Sequence, residues 1–263
     1  MLDDKRYRAE LKHVRVIEKI TEASNIVSLI LKPFHKLKYE PMPPQFIMLW
    51  VPGVEEVPLS IADYDNGLIR VTIGDRGPTT HKLVHEINVG DILGFRGPFG
   101  KPMSLNKSKY LLIAGGLGAP PILFTLKTLL RKGVKDLVFV IGARTKNMLL
   151  YVNEVKNLGI DTYVATDDGS MGFKGQVTDL LDHIIKFYKG YEIIACGPPE
   201  MLKTLSLKLY KWGFLNSKII AEAIVKCCIG VCGSCILGNG LLFCTDGPWF
   251  TVKDYVERIL KYN

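Results

Sequence analysis

The chain is almost without glutamine: Gln45 and Gln176 stand alone beside many Lys and Glu residues. Such usage leans toward that of thermophiles. No uninterrupted apolar stretch reaches the ~18–20 residues that a membrane-spanning helix requires. The opening segment, MLDDKRYRAELKHVRV, is charged throughout and lacks the apolar core of a signal peptide. These absences lead us to expect a cytoplasmic protein with no membrane span. The formal charge is +8, yet no block of Lys and Arg is interleaved with aromatics. A nucleic-acid partner is therefore not expected, and the basic residues read as a solvated surface. Internal repeats and low-complexity linkers are also missing.

What is present suits two modest domains, or one large one. The 263 residues are 48% hydrophobic and 23% charged, so a packed core is within reach. Up to about residue 103 the chain reads as β structure. HVRVIEKI, IVSLILKPF, QFIMLWVPG, LIRVTIGD and DILGFRGPFGKP are short, rich in Val and Ile, and bounded by turn residues. With no convincing helix among them, they predict a small antiparallel β-barrel over 1–103. From Lys109 the pattern changes. KYLLIAGG is a continuous apolar run of the buried parallel-strand kind, and GLGAPPILFTLKTLLRKG has helical spacing. DLVFVIGAR, DTYVATDD and YEIIACGPP then alternate with helical segments, which predicts a doubly wound α/β domain over 104–220. Residues 221–263 form a Cys- and Gly-rich lobe.

Six cysteines occur, and five of them crowd between Cys227 and Cys244. Cys227, Cys232, Cys235 and Cys244 make the pattern C-x4-C-x2-C-x8-C. Its first three positions match the plant-type spacing for a [2Fe–2S] cluster. Gly230, Gly233, Gly238 and Gly240 allow a tight loop whose amides turn toward sulfur. Four thiolates also suit tetrahedral zinc, although zinc ribbons usually carry two C-x2-C pairs and this chain has one. Cys228 adjoins the first candidate ligand and is either a spare thiol or a substitute for Cys227.

Three weaker motifs accompany the cysteines. GGLGAPP, with Gly115, Gly116 and Gly118, would let backbone approach a pyrophosphate at a helix start, or simply make a tight turn. ACGPPEM places Cys196 and Gly197 at a strand's carboxyl end, where ligands of open α/β sheets bind. PLSIADYD and RGPTTHKL supply Pro58, Leu59, Ser60, Gly77, Thr79 and Thr80, which suit a diphosphate as well as ordinary turns and caps. The strand DTYVATDD ends in Asp167 and Asp168. Carboxylates there accept hydrogen bonds from a ribose hydroxyl and repel a 2′-phosphate, which predicts NADH over NADPH.

Taken in this order, PLSIAD, GPTTHKL, GPFGKP, GGLGAPP, GARTKNMLLY, TDDGSMGFKGQVTDLL, ACGPPEM and CCIGVCGSC…CTDGP resemble the ferredoxin–NADP reductase superfamily. Within it the chain resembles the electron-transfer subunit of heteromeric dihydroorotate dehydrogenase, over nearly its whole length. The resemblance implies FAD between barrel and nucleotide domain, a [2Fe–2S] cluster in the C-terminal lobe, and NADH as the hydride donor. It further implies an FMN-bearing catalytic subunit as partner, in a heterotetramer of two pairs, for pyrimidine biosynthesis. Pro58, Leu59 and Ser60 would border the flavin ring and ribityl chain. Gly77, Thr79 and Thr80 would hold the FAD pyrophosphate. Gly115, Gly116, Gly118, Cys196 and Gly197 would line the nicotinamide nucleotide site. No nucleophile or general base is expected, because hydride transfer is the cofactors' own chemistry.

Three positions depart from the family pattern: Val57 stands where Arg is common, Pro44 replaces Gly in P-G-Q-F, and Cys228 replaces the glycine after the first cluster cysteine. The small flavin subunit of NADH-dependent ferredoxin–NADP oxidoreductases is similar too, but there Asp often replaces the first cysteine. Cys227 favours the dihydroorotate reading. The apolar residues Ile229, Val231, Ile236 and Leu237 are expected to dock the lobe on its partner, or else to pack it on the nucleotide domain. A basic zinc-stabilised binding module without redox activity is the alternative from another class.

Overall fold

The computed structural model describes residues 2–262. Strands β1 (Lys12–Ala23), β2 (Ile26–Pro33), β3 (Phe46–Trp50), β4 (Glu56–Asp65), β5 (Leu68–Gly74) and β6 (Ile92–Phe99) close an antiparallel barrel in the order β1-β2-β5-β4-β3-β6. Alternate side chains point inward, and Leu29, Leu31, Ile47, Leu49, Ile61, Val71 and Phe95 are fully buried there. The barrel segment is not free of helix, contrary to expectation: α1 (Leu2–Ala9) precedes it and α2 (Pro78–His85) follows β5. At eight residues each, both are too short for a helical period to stand out. Helix α2 starts where Pro78 fixes the first turn after extended Gly77, and it buries Thr79, Leu83 and Val84.

The second unit is a seven-stranded sheet. Its strands are β7 (Lys109–Gly115), β8 (Asp136–Ala143), β9 (Asp161–Thr166), β10 (Phe173–Lys174), β11 (Glu192–Cys196), β12 (Lys218–Ile220) and one late strand near the C-terminus, described below. Helices α3 (Ala119–Arg131), α4 (Val152–Asn157), α5 (Val177–Ile184) and α6 (Pro199–Lys211) connect them. Residues 110–114 of β7 are wholly buried, as expected of a central strand covered on both faces. Gly133 ends α3 with φ +80°, a left-handed residue just past the last turn.

The lobe after Ile220 has little regular structure: a short hairpin of β13 (Ile236–Leu237) and β14 (Leu241–Leu242). The chain then returns to the main sheet, where β15 (Trp249–Thr251) pairs antiparallel with β12. A last helical stretch, α7 (Val252–Asp254) continuing as a wider turn to Ile259, buries Val252, Tyr255 and Ile259. Among the described residues, no helix is long and apolar enough to cross a membrane.

Candidate functional site

Two adjoining clefts open between barrel and sheet. The smaller, about 260 Å³, is walled by Pro58, Leu59 and Ser60 from β4, by Thr80 from α2, and by Cys196 at the end of β11. Residues from three distant motifs thus converge on one cavity. Helix α2 begins at its rim. Thr80 Oγ1 accepts hydrogen bonds from the amides of Arg76 and Gly77, both at 2.9 Å, and so holds the turn before the helix. The first-turn amides of a helix have no partner within it and favour an anion. Thr79 Oγ1 is buried and makes no hydrogen bond among the described residues. An orphaned hydroxyl beside free helix amides is the mark of a polar ligand group, so the turn fits a diphosphate. Gly77 and Thr79 themselves lie outside the cavity lining.

Burial pushes the Cys196 thiol far up, so it stands neutral in the cavity wall. Opposite it, Glu222 reaches solvent at the mouth, yet crowding by neighbouring atoms pushes its carboxyl up, against the pull of Arg76. Phe243 also lines the cleft, its ring tilted 43° to that of Phe46 of the barrel with centroids 5.5 Å apart.

The larger cleft, about 590 Å³, lies over the carboxyl ends of β7 and β8. Gly115 and Gly116 line it, with Arg144, Asp167, Thr178 and Glu200 as polar neighbours. Gly116 has φ +49°, and a side chain on Gly115 would come within 2.3 Å of Met201 Sδ. Gly118 and Gly197 have a different duty. A Cβ on Gly118 would lie 2.4 Å from the amide nitrogen of Gly197, so the pair lets the start of α3 close on the end of β11. Asp167, not Asp168, faces this cleft. Asp168 turns back to accept from the amide and hydroxyl of Ser170, at 3.0 and 2.6 Å, which holds its carboxyl below the usual range.

The cysteine lobe covers one end of the smaller cleft. The candidate thiols act on one another: Cys232 on Cys227, and Cys235 with Cys227 on Cys244. Among the described residues no three cysteine sulfurs approach within 4.8 Å of one another. Tetrahedral zinc would gather all four thiols at Zn–S ~2.3 Å. The cysteine spacing instead suits a binuclear centre with two thiolates on each metal. Burial raises the Cys227 thiol, but amides of Ile229, Val231 and Cys232 outweigh it and hold the thiol down at about 6. The Val231 amide donates to Cys227 Sγ at 3.5 Å. Such donors are what a thiolate-bound metal needs from its loop. Cys228 lies near Cys227 and Cys244 but is buried: its thiol is pushed up to about 12 by burial, and it faces the Lys226 carbonyl at 3.7 Å. With φ +62° it occupies a left-handed position, which explains why glycine is the usual residue there.

Arg96 of β6 ties the lobe to the barrel. Its guanidinium pairs with Glu56 and donates to the carbonyls of Lys226 at 3.2 Å and Cys227 at 3.4 Å. On the lobe's outer side Ile224, Val231 and Ile236 are 77, 73 and 57% exposed, around an exposed Cys232. Ile229 and Leu237 are half-buried against the core beneath the sheet. The four apolar residues singled out in the sequence therefore divide between an outer face and an inner one.

Sequence reasoning did not find Arg76, Arg144, Glu222 or Phe243. Arg76 borders both clefts, whereas Val57 packs on the barrel core. Its neighbourhood to Gly77 was the available signal; Glu222 has no local motif at all.

Comparison with known proteins agrees with this geometry. The oxidoreductase NAD-binding domain matches residues 112–206, and the iron–sulfur cluster binding domain of dihydroorotate dehydrogenase B matches residues 222–255. The probable dihydroorotate dehydrogenase B (NAD(+)) electron transfer subunit of Methanocaldococcus jannaschii is 34% identical, over 95% of this chain and 93% of its own. That of Pyrococcus furiosus is 38% identical, over 94% of this chain and 93% of its own. In solved structures, a chain of an NADH-dependent reduced ferredoxin-NADP oxidoreductase superposes with TM-score 0.79 and 29% identity, covering 95% of this chain and 94% of that one. Phthalate dioxygenase reductase shares the fold, with TM-score 0.65 and 15% identity over 77% of this chain and 65% of that one. With full-length relatives above 30% identity and a matched cluster domain, the chain belongs to the family of dihydroorotate dehydrogenase B electron transfer subunits.

Proposed function

We propose that this chain carries FAD in the smaller cleft, NADH in the larger one and a [2Fe–2S] cluster on Cys227, Cys232, Cys235 and Cys244. The barrel up to residue 103, the nucleotide unit over 104–220 and the lobe from 221 each hold one of these groups. FAD when bound splits a two-electron input into single-electron steps, and the cluster accepts them one at a time. The chain's own residues bind and orient. Pro58, Leu59 and Ser60 wall the ring, and the α2 amides with Thr80 meet the diphosphate, Thr79 lying buried behind them. Gly115 and Gly116 admit the dinucleotide, with Cys196 as a small neutral neighbour where ring and nicotinamide must meet. Phe243 lines the flavin cleft and is bonded in sequence to Cys244, so cleft and cluster share a wall. Gly118 and Gly197 act by close packing, and Asp168 by shaping the loop that presents Asp167.

The partner is an FMN-bearing dihydroorotate dehydrogenase catalytic subunit in the cytoplasm, in a heterotetramer of two pairs. Ile224, Val231 and Ile236 form its docking face. The C-x4-C-x2-C-x8-C spacing within the matched cluster domain is the observation that carries this reading. The test is to purify the tagged chain from its native host. The expected result is a brown-yellow complex with flavin and iron absorption and an FMN subunit that Val231→Glu releases. A colourless protein would sink the reading. Recovery with a ferredoxin-linked partner instead would favour the oxidoreductase in the structural comparison. Asp167 supports NADH as donor, and equal kinetic efficiency with NADPH would refute that part.

A further inference from the structure

A second group of metal-type side chains lies far from the cysteines in sequence and shares no residue with them. Asp75 follows the last residue of β5, and His81 and His85 sit one turn apart on α2. Positions i and i+4 share one face of a helix, which is how paired histidines reach a single ion. The rings stand 4.5 Å apart, and both His81 Nδ1 and His85 Nε2 lie 2.9 Å from the same oxygen, Asp75 Oδ2. The three ligand atoms are all within 4.8 Å of one another. Zinc bound at ~2.0–2.2 Å to nitrogen and oxygen sets tetrahedral ligand atoms roughly 3.4 Å apart. The two His–Asp separations of 2.9 Å would open by about 0.5 Å to reach that spacing.

The backbone beneath is fixed. The Asp75 amide donates to Asn25 at 3.0 Å, the His81 amide to Gly77 at 2.8 Å, and Leu83 and Val84 anchor the helix. The histidine side chains are 58 and 41% exposed, so an ion reaches them from solvent.

We propose that Asp75, His81 and His85 form a binding site for one zinc-class divalent cation, with the fourth coordination position open to water. Two imidazoles and a carboxylate suit zinc, cobalt, nickel or copper; magnesium and calcium prefer all-oxygen sites. The ion would clamp the end of β5 to α2. Asp75 also lines the larger cleft, so the test reads metal content and not dinucleotide turnover.

The test is zinc binding by the full chain as isolated, with its iron and flavin in place. The protein is dialysed against Zn²⁺, and zinc and iron per chain are measured by elemental analysis, alongside His81→Ala, His85→Gln and Asp75→Asn. Wild type is expected to hold one zinc more than each variant, at unchanged iron. Losing a mere supporting partner lowers metal affinity by about 10–100-fold, so loss of a ligand should exceed ~100-fold. Retained flavin absorption shows that a variant has folded, and the three different side chains guard against one that has not. A zinc-edge anomalous peak touching all three residues would establish the site directly. Equal zinc in wild type and in every folded variant, or none in wild type, overturns the proposal.

Discussion

The sheet unit and the cysteine lobe are stabilised by different means. The sheet is built on wholly buried apolar strand residues, among them Leu111, Leu112, Phe139 and Val140. The lobe, over residues 221–248, has one two-residue hairpin, and its buried residues include three of its own cysteines, Cys228, Cys235 and Cys244. Burial of apolar area holds the first together; the second has too few apolar side chains to order thirty residues of loop against their chain entropy. The lobe should therefore depend on its metal, and the frame should not.

The sharpest break of that contrast is Cys232→Ser. It removes one of the proposed ligands, so iron content should fall to near zero and electron delivery should stop. Flavin should stay bound, and the melting of the frame should hardly move. Limited proteolysis should then cut between residues 226 and 242 in the variant but not in the parent. A Cys232→Ser protein with full iron would refute the ligand assignment. Full protease resistance without iron would refute the dependence.

Leu111→Ala is the complementary change. Leu111 is fully buried in the centre of β7, and deleting such a side chain costs about 2–5 kcal/mol. The midpoint of chemical unfolding should drop for the whole chain, while iron per folded molecule is unchanged. Loss of iron with no change in the midpoint would show that lobe and frame are not divided as argued.

Arg96→Ala tests the joint between them. The guanidinium spans Glu56 and two lobe carbonyls, and hydrogen bonds involving a charged group contribute roughly 1.5–3 kcal/mol. We expect the lobe to open more readily, seen as faster amide exchange over residues 226–232 and faster iron loss to a chelator. Exchange rates equal to the parent's would mean that Phe243 on Phe46 suffices to seat the lobe.

The same contrast explains what the sequence made legible. Continuous apolar runs such as KYLLIAGG announced the parallel strands, because strands buried on both faces admit little else. The cysteine spacing announced a metal loop. Strand β4 was harder, since PLSIADYD carries Pro58 within it and reads as a turn. Return of the chain as β15 depends on three residues, Trp249–Thr251, with no local signal of which strand they join. The site was legible where a motif contains its own glycine or cysteine. It was not where the residue is brought in from afar: Glu222 and Arg76 meet the smaller cleft only through the packing of barrel, sheet and lobe. The two acidic residues after β9 show the limit of a strand-end rule. Adjacent side chains there diverge, so Asp167 meets the cleft and Asp168 turns to Ser170.

The smallest effect, and the finest test of the ligand assignment, concerns Cys228. Its φ of +62° costs an L-residue roughly 1–2 kcal/mol that glycine does not incur. Glycine in turn gives up more chain entropy on folding, roughly 0.5–1 kcal/mol, and it removes a small buried thiol. These terms oppose each other, so Cys228→Gly should leave stability within about 1 kcal/mol of the parent. Iron and sulfide should stay at the parent's level, with the same electron paramagnetic resonance signal on reduction, because the thiol faces the Lys226 carbonyl and its burial keeps it protonated. Cys227→Ser, one residue away, should lose the cluster. If instead Cys227→Ser keeps it and only the double change with Cys228→Gly removes it, Cys228 serves as the alternate ligand and the ligand set argued for the lobe must be redrawn.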